Sequence, residues 1–353
     1  MIILARGNLL RSEADVLVNT VNCVGFMGKG IALQFKKAFP ENFKAYEAEC
    51  RKGKIVPGKV FLFSTGKFVP PLYIVNFPTK NHWRENSKLE YISSGLEDLV
   101  KTLKELDVSS VAVPPLGCGL GGLKWGMVRP LIERAFSALP DLDVYLFQPS
   151  GTPEADDMPV NTKIPQLTRN KAMLLLLMDR YLVDDYSLSL LEVHKLAYFL
   201  QEAGENINLE FVENIYGPYS KRLSHMLQDM DGHYISGCGD DNNPSKPIRV
   251  FPHAVAGARA LLTEDVPGRK HLEKVFALID GFETPFGMEL LASVHWVASD
   301  HGYSVPAANE KEAYRKLALW NPRKEKLFDE YHVMKAFERL RSDGWLEPST
   351  APV

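Results

Sequence analysis

The segment "VLVNTVNCVGFMGKGIALQF", residues 16–35, decides the fold of the first half of this chain. Its β-branched and apolar start, Val16–Val21, is typical of a buried strand. Glycines follow at positions 25, 28 and 30, and the residues of Gly30–Phe39 then place apolar side chains at helical spacing until Pro40. A strand, a glycine-rich loop and a helix in this order predict one unit of an α/β layered domain.

The same order recurs in "VAVPPLGCGLGGLKWG", residues 111–126, where a predicted strand at Val111–Pro114 precedes a predicted helix at Lys124–Leu139. The remaining pattern of the first half is compatible with a mixed central sheet covered by helices on both faces. Further predicted elements are the strands Ile2–Ala5, Val60–Phe63, Tyr73–Asn76 and Val144–Phe147 and the helix Leu89–Leu106.

A chain of 353 residues with 45% hydrophobic content is long enough for two cores. We predict a first domain over residues 1–152, a proline-rich and acidic linker over 153–168, and a mainly helical domain over 169–353. The predicted elements of the second domain are the helices Lys171–Leu182, Ser189–Glu202, Ser220–Met230, His271–Ile279, Met288–Ser299 and Val333–Ser342, with a short strand at Ile248–Phe251.

Composition excludes several classes of protein. No apolar run approaches the ~20 residues of a membrane span, and the first residues lack the basic segment of a signal peptide, so we expect a cytoplasmic protein without membrane contact. The four cysteines, Cys23, Cys50, Cys118 and Cys238, form no C-x-x-C pair, so neither a disulfide framework nor a metal site is predicted. We expect no cofactor.

Charge is distributed unevenly along the chain. Residues 1–150 hold 19 Lys and Arg against 14 Asp and Glu, whereas the remainder holds 22 against 30. A basic domain suits a polyanionic ligand, and an acidic domain suits a basic partner. The second half contains acidic pairs at Asp184-Asp185 and Asp240-Asp241.

The two glycine-rich loops are candidates for binding a diphosphate. Glycines let backbone N–H groups approach an anion, and a helix N-terminus adds unpaired donors. Neither loop is a Walker A motif or a G-x-G-x-x-G fingerprint. Two tight turns between strands and helices remain the alternative on local grounds.

Three stretches together, "RGNLLRSEADVLVNTVN" (6–22), "MGKGIALQFKKAFP" (27–40) and "VAVPPLGCGLGGLKW" (111–125), resemble the macrodomains, which bind ADP-ribose. The resemblance covers about residues 1–150. Within the superfamily the sequence is similar to the branch of the terminal ADP-ribose glycohydrolases and the DarG antitoxins, and the acidic second domain resembles the latter.

The resemblance implies a role for each loop. Asn8 and Leu9 would lie beside the adenosine, where many macrodomains have an aspartate. Thr20, Val21 and Asn22 would line the distal ribose, although a turn-capping role is the alternative for Asn22. The diphosphate would be held between the two glycine loops, and Thr79 would also contact ADP-ribose. The loop residues are Gly28, Gly30, Ile31, Ala32, Leu33 and Gln34 on one side and Gly117, Cys118, Gly119, Leu120 and Gly121 on the other.

Lys80, in "VNFPTKNHW" (75–83), is the candidate catalytic residue that the resemblance implies. A lysine here would attack the anomeric carbon of the distal ribose and form a Schiff base that water resolves. Only a neutral amine can do this, so we expect burial, or a like charge such as Lys29, to lower the pKa of Lys80. On local evidence alone Lys80 is an ordinary exposed lysine. One departure is Gly121, which stands where a related enzyme has an aspartate.

For this branch the resemblance implies an antitoxin that removes ADP-ribose from thymine bases in single-stranded DNA. It also implies that the second domain binds DarT, the toxin that attaches the group, with its acidic surface suited to a DNA-binding cleft. Two other functions stay open from the sequence. One is a non-catalytic ADP-ribose reader, which the missing carboxylate favours, and the other is hydrolysis of ADP-ribose 1″-phosphate.

Overall fold

The structure is a computed structural model, and the residues it describes are 1–149, 158–181, 188–238, 245, 247–299, 301 and 305–346. They divide into two compact units, with the boundary in the sequence between Ile164 and Pro165. Residues 158–164, the described start of the predicted linker, belong to the first unit, where Asn161 Nδ2 donates a 2.7 Å hydrogen bond to the carbonyl oxygen of Ala38. Residues 150–157 and the acidic pairs Asp184-Asp185 and Asp240-Asp241 lie outside the described residues.

A mixed six-stranded sheet forms the middle layer of the first unit. Its strands are β1 (Ile2–Ala5), β2 (Val16–Val21), β3 (Phe61–Ser64), β4 (Tyr73–Pro78), β5 (Ser110–Val113) and β6 (Asp143–Phe147). Their spatial order is β1-β6-β5-β2-β4-β3, and only β3 runs antiparallel to its neighbour. The parallel strand β2 is almost wholly buried, which explains its nearly continuous apolar sequence.

Helices cover both faces of this sheet, because successive side chains of a strand point to opposite faces. Val16 and Val18 pack with one set of helices, and Leu17 between them packs on the other face against Phe35. The helices of the unit are α1 (Gly30–Ala38), α2 (Pro40–Arg51), α3 (Leu89–Lys104) and α4 (Trp125–Phe136), with a 3-10 turn at Leu9–Arg11. The predicted α/β three-layer architecture with a mixed central sheet is confirmed.

One helix of the first unit was absent from the sequence prediction. Pro40 was interpreted only as the end of α1, but it is also the first residue of α2. Proline is favoured at that position because its missing N–H would have no partner in the first helical turn and its φ angle already suits a helix.

The second unit is mainly helical, as predicted. Its largest core is built from helices that are buried almost all round, such as α6, in which ten successive residues are buried. The helices are α5 (Arg169–Tyr181), α6 (Leu190–Glu202), α7 (Lys221–Met230), α8 (Pro252–Leu261), α9 (Val266–Ile279), α10 (Pro285–Ala298), α11 (Glu310–Trp320), α12 (Pro322–Leu327) and α13 (Glu330–Ser342), with short strands β7 (Leu188–Ser189), β8 (Ile235–Ser236) and β9 (Pro247–Val250).

Three of these helices, α8, α11 and α12, were not predicted. Two of them, α8 and α12, begin with a proline, and α11 buries only Ala313 and Leu317. A single narrow apolar stripe gives a weak periodic signal. Within the described ranges, no helix is both long enough and apolar enough to cross a membrane.

Candidate active site

The candidate site lies where three neighbouring parallel strands end. β2, β4 and β5 are adjacent and parallel, so their carboxyl ends meet at one edge of the sheet. Val21 at the end of β2 is paired with Pro78 at the end of β4, and Thr79 N donates to the carbonyl oxygen of Val21 over 3.0 Å. Such an edge is where open α/β sheets bind ligands.

Asn22 organises the first glycine loop. Its Oδ1 accepts from Val24 N at 3.0 Å, and its Nδ2 donates to the carbonyl oxygen of Phe26 at 2.6 Å. The hydroxyl of Tyr46, on α2, donates to the carbonyl oxygen of Asn22 at 2.7 Å. The side chain of Asn22 therefore caps the turn, which is the alternative considered from the sequence, and its predicted contact with the distal ribose stays a prediction.

The N-terminus of α1 follows this loop. Gly30 has a φ of +57°, a conformation that disfavours residues with a Cβ, and Lys29 at the N-cap makes no side-chain hydrogen bond to the first turn. The first amides of the helix therefore have no capping side chain, an arrangement that suits an anion. Of the other predicted contacts, Gly28 is exposed, Ile31 and Ala32 are half-buried, and Leu33 and Gln34 are buried.

The second glycine loop is a compact turn without space for side chains at two positions. Gly117 has a φ of +70°, and its carbonyl oxygen accepts from Leu123 N at 3.0 Å. A Cβ at Gly121 would lie 2.4 Å from the carbonyl oxygen of Gly117 and 2.3 Å from Ser87 Oγ. Cys118 is half-buried, whereas Gly119 and Leu120 are exposed at the tip.

The side chain of Lys80 reaches from the end of β4 to this second loop. Its Nζ donates a 2.9 Å hydrogen bond to the carbonyl oxygen of Leu120. The first loop is also close, because a Cβ built on Gly30 would lie 3.5 Å from Leu120 Cδ1. The structure thus brings together Lys80 and both glycine loops, the residues that the sequence analysis assigned to one crevice.

Electrostatics distinguish Lys80 from the thiols around it. Partial burial lowers the pKa of Lys80 from its ordinary value. Burial raises the pKa of Cys23 to about 12, with further contributions from Cys50 and the Glu85 carboxylate, and it also raises the pKa of Cys118. Both thiols are therefore protonated and weakly nucleophilic near neutral pH, whereas the amine is shifted toward its reactive form. Burial, not a charge on Lys29, is the cause of the shift at Lys80.

The predicted adenosine contacts lie on a different strand. Asn8 follows β1, which β6 and β5 separate from β2 in the sheet. Its Oδ1 caps the 3-10 turn by accepting from Leu10 N at 3.0 Å. Leu9 is buried in the core cluster that contains Phe35 of α1, so this turn adjoins the helix whose N-terminus faces the site.

Several residues that shape the site were missed in the sequence. Asn19, Asn42 and Asn76 are wholly buried; Asn76 Oδ1 accepts from the side-chain amides of Asn19 and Asn42, and Asn76 Nδ2 donates to Asn42 Oδ1. Ser87 is buried beside Gly121, and its Oγ has no hydrogen-bond partner among the described residues. No local sequence pattern predicts these contacts, because the partners are distant in the sequence. The one available signal was the presence of a polar residue, Asn19 or Asn76, inside an otherwise apolar strand.

A three-layer α/β fold with two glycine loops at the ends of the central strands of its sheet defines a macrodomain. The family model described as Macro domain matches residues 18–132. A DNA ADP-ribosyl glycohydrolase of Thermus aquaticus is 43% identical over 349 residues, which are 99% of this chain and 95% of that protein. The solved macrodomain of Mycobacterium tuberculosis DarG is 54% identical and covers 42% of this chain and 99% of its own, with a TM-score of 0.42.

A third relative, from Thermosipho africanus, is a DNA ADP-ribosyl transferase-DNA ADP-ribosyl glycohydrolase fusion protein, 35% identical over 161 residues, or 41% of each chain. The similarity to the Thermus protein spans both units of the present chain. The chain therefore belongs to the family of the DNA ADP-ribosyl glycohydrolases, which are hydrolases. The resemblance recognised in the sequence is confirmed.

Proposed function

We propose that this protein hydrolyses the N-glycosidic bond between ADP-ribose and a thymine base of single-stranded DNA, with Lys80 as its nucleophile. The observation that carries the proposal is the position of Lys80 Nζ, 2.9 Å from the carbonyl oxygen of Leu120 in the second glycine loop. The lowered pKa of the amine and the family membership support it.

The glycine loops would hold ADP-ribose by its diphosphate. The uncapped first turn of α1, from Gly30 onward, offers backbone amides on one side, and the turn from Gly117 to Gly121 offers a close approach on the other. Binding energy from the diphosphate would position the distal ribose near the end of β4, with the DNA base outside the crevice.

In the proposed reaction, the neutral Lys80 amine attacks the anomeric carbon as the bond from that carbon to the thymine nitrogen breaks, and the released base takes up a proton. The sugar ring then opens to give an imine on Lys80. Water adds to the imine carbon and expels the amine, which restores Lys80 and frees ADP-ribose. The backbone carbonyl of Leu120 accepts a hydrogen bond from the amine and so orients it before the attack.

One structural feature favours a second candidate, a non-catalytic ADP-ribose reader. Gly121 has no room for a carboxylate, so the loop lacks the acid or base that would assist water in the last step. The third candidate from the sequence, hydrolysis of ADP-ribose 1″-phosphate, uses the same crevice with a smaller substrate.

A single experiment separates these functions. The purified full-length protein is incubated with an oligonucleotide that carries one ADP-ribosylated thymidine, and in parallel with ADP-ribose 1″-phosphate. We expect free ADP-ribose from the oligonucleotide and none from the Lys80→Ala protein. Tight binding of the oligonucleotide without release would identify a reader, and release from the phosphate alone would identify the small-molecule hydrolase.

We also propose that the second unit binds and neutralises a DarT-like toxin. Support comes from the excess of acidic residues in the second half and from the fusion of a transferase with a glycohydrolase in Thermosipho africanus. The test is to co-express the toxin with the full-length Lys80→Ala protein, which we expect cannot hydrolyse the modification. Restored growth together with a complex on size-exclusion chromatography supports neutralisation by binding. Absence of both contradicts it.

A further inference from the structure

The loop that follows Lys80 is fixed at both ends. The carbonyl oxygen of Asn81 accepts a 2.9 Å hydrogen bond from Cys23 N of the first glycine loop. At the other end Ser87 N donates to the carbonyl oxygen of Gly121, also at 2.9 Å. The segment between these anchors is consequently tied to both sides of the candidate crevice.

The tip of this loop presents Trp83 to solvent. Its side chain is 49% exposed, although a large aromatic residue usually buries most of its surface. The guanidinium carbon of Arg84 lies 4.6 Å from the centroid of the indole ring, and the ring of His82 is 5.2 Å away. His82 Nδ1 accepts from Arg84 N at 3.3 Å, which tightens the turn that holds these side chains. The indole of Trp83 is therefore held in place by Arg84 and His82, although it is not packed in a hydrophobic core.

The charge of Arg84 is less compensated than the charges of a second basic cluster, which consists of Arg51, Lys52 and Lys54. On α2 and just after it, Arg51 pairs with Glu47, while Lys52 and Lys54 pair with Glu49. Among the described residues, no carboxylate lies within ion-pair distance of Arg84. Its charge is thus free to interact with a polyanion.

We propose that Trp83 and Arg84 form a binding site for the single-stranded DNA next to the modified base, and so make the enzyme selective for polynucleotide over nucleoside substrates. This inference rests on the proposed function. Trp83 is three residues from Lys80, which limits the distance between their Cα atoms to about 11 Å. If the modified base of a DNA strand is held outside the crevice at Lys80, the nucleotide next to that base lies within reach of the Trp83 indole.

The chemistry of the two side chains fits this ligand. Nucleobases stack on exposed aromatic rings whatever their sequence, and an arginine beside the ring contacts phosphate or the face of a base. A groove lined by many lysines is not needed, because the diphosphate in the glycine loops anchors the substrate and the loop contacts only the nucleotide beside the modified base. We expect little preference for the identity of that neighbouring base.

The test compares two substrates with the full-length protein, namely an oligonucleotide of about ten residues with one central ADP-ribosylated thymidine and the ADP-ribosylated thymidine nucleoside. For Trp83→Ala we expect kcat/KM on the oligonucleotide, relative to that on the nucleoside, to fall by roughly 5- to 150-fold, the loss of one base stack. The fall arises in KM. Trp83→Phe retains most of the selectivity, and Arg84→Gln weakens the dependence of KM on salt.

The matched control is Phe68→Ala, which removes a fully exposed aromatic side chain from the loop between β3 and β4, at the opposite edge of the sheet. It leaves the substrate ratio unchanged. Equal losses on both substrates in Trp83→Ala, or no loss on either, would overturn the inference.

A second readout does not depend on hydrolysis. Fluorescence anisotropy measures binding of the labelled, ADP-ribosylated oligonucleotide to the same variants made in the Lys80→Ala protein, with free ADP-ribose as the reference ligand. Weaker binding by Trp83→Ala than by Phe68→Ala supports the DNA site even if the wild-type protein releases no ADP-ribose, in which case the proposed function alone fails. Equal binding by the two variants refutes the DNA site.

Discussion

Lys80 Nζ donates a hydrogen bond to the carbonyl oxygen of Leu120, and this contact joins two loops that are 40 residues apart in the sequence. A carbonyl oxygen accepts from either protonation state of an amine, so it orients Lys80 while it stabilises the charged form less than a carboxylate would. Together with partial burial, which lowers the pKa, this contact makes Lys80 a better candidate nucleophile than an exposed lysine.

Replacement of Lys80 distinguishes a nucleophile from an electrostatic group. We expect Lys80→Ala to reduce kcat for release of ADP-ribose from DNA by at least about 1,000-fold, as for other nucleophile deletions. Lys80→Arg should be equally inactive, because arginine keeps the charge but does not deprotonate. Affinity for free ADP-ribose, measured by calorimetry, should change little in either variant. Substantial activity in Lys80→Arg would show that the charge, not the neutral amine, acts.

The pH profile should reflect the same amine. Its pKa is below the ordinary value of 10.5, and the neutral form is the reactive one, so kcat/KM should rise with pH and level off before pH 10.5. The Cys23 thiol, whose pKa is raised to about 12, titrates above this range. Cys23→Ser should therefore leave the midpoint of the rising limb in place. A midpoint that moves with Cys23→Ser would assign the limb to the thiol.

Gly121 should tolerate no side chain. In Gly121→Ala the new Cβ would meet Ser87 Oγ and the carbonyl oxygen of Gly117, and because the second contact is with backbone, the loop must shift. Overpacking of this kind costs about 1–3 kcal/mol. The control is Gly119→Ala, where a Cβ has nothing within 4 Å and should leave the melting temperature nearly unchanged. Calorimetry of the two variants tests this, and equal melting temperatures would contradict it.

The same observation sharpens the question of the missing carboxylate. The alignment that places an aspartate of a related enzyme at Gly121 cannot apply to this backbone, because even a methyl group does not fit there. An acid or base for the last step must therefore come from water, from the ligand or from another loop. The sequence showed the absence of the carboxylate but not its steric reason, since the contact involves Ser87, 34 residues earlier in the chain.

The strands of the first unit and most helices were predictable because their apolar patterns are local, whereas β7 and β8 of the second unit, each two residues long, were not predicted. Buried β2 has a nearly continuous apolar run, and α3 has a clear apolar stripe that buries Ile92, Leu96 and Leu99. The proline-initiated α2 was missed because proline is compatible with both the end and the start of a helix. The strands and helices around the site were thus largely predicted from the sequence, whereas the proline-initiated helix that follows α1 was not.

The site also has a part that the sequence predicted and a part that it did not. Glycine loops have a recognisable composition, so the crevice was predicted, and the macrodomain resemblance supplied Lys80. The hydrogen bond from Tyr46 to Asn22 and the buried amides of Asn42 and Asn76 were not predictable, because each joins residues that only the folded chain brings together. Single-sequence patterns carry no information about such pairs.

The second unit contains a buried cluster with more positive than negative charge. Glu289 accepts hydrogen bonds from Lys324 Nζ at 2.9 Å and from Arg323, and both Glu289 and Lys324 are fully buried. Lys195, 2% exposed, donates to the carbonyl oxygen of Pro218 at 2.7 Å. Burial, reinforced by the charge of Lys324 and partly offset by Glu289, lowers the pKa of Lys195 to about 7.

This cluster predicts that the second unit becomes more stable as pH rises from about 7 toward 10.5. The folded-state pKa of Lys195 is lower than that of the unfolded chain, so across this range the unfolded state binds more protons and stability increases with pH. Lys324, whose pKa is also lowered, acts in the same direction, and His194, with a pKa lowered to about 3, stays neutral throughout. Urea unfolding of wild type and Lys195→Met at pH 7, 8 and 9 measures the effect.

The comparison is decisive because the two proteins differ only at position 195, so the first unit contributes equally to both. We expect the difference between the free energies of unfolding, wild type minus Lys195→Met, to become more positive at each higher pH. Glu289→Gln is a control that removes the negative charge of the cluster. It leaves Lys195, Lys324 and Arg323 without a carboxylate nearby, so we expect the free energy of unfolding to fall by about 3–5 kcal/mol near neutral pH. A constant difference between wild type and Lys195→Met would mean that Lys195 keeps its proton throughout, and that the Pro218 carbonyl and Glu289 compensate its burial.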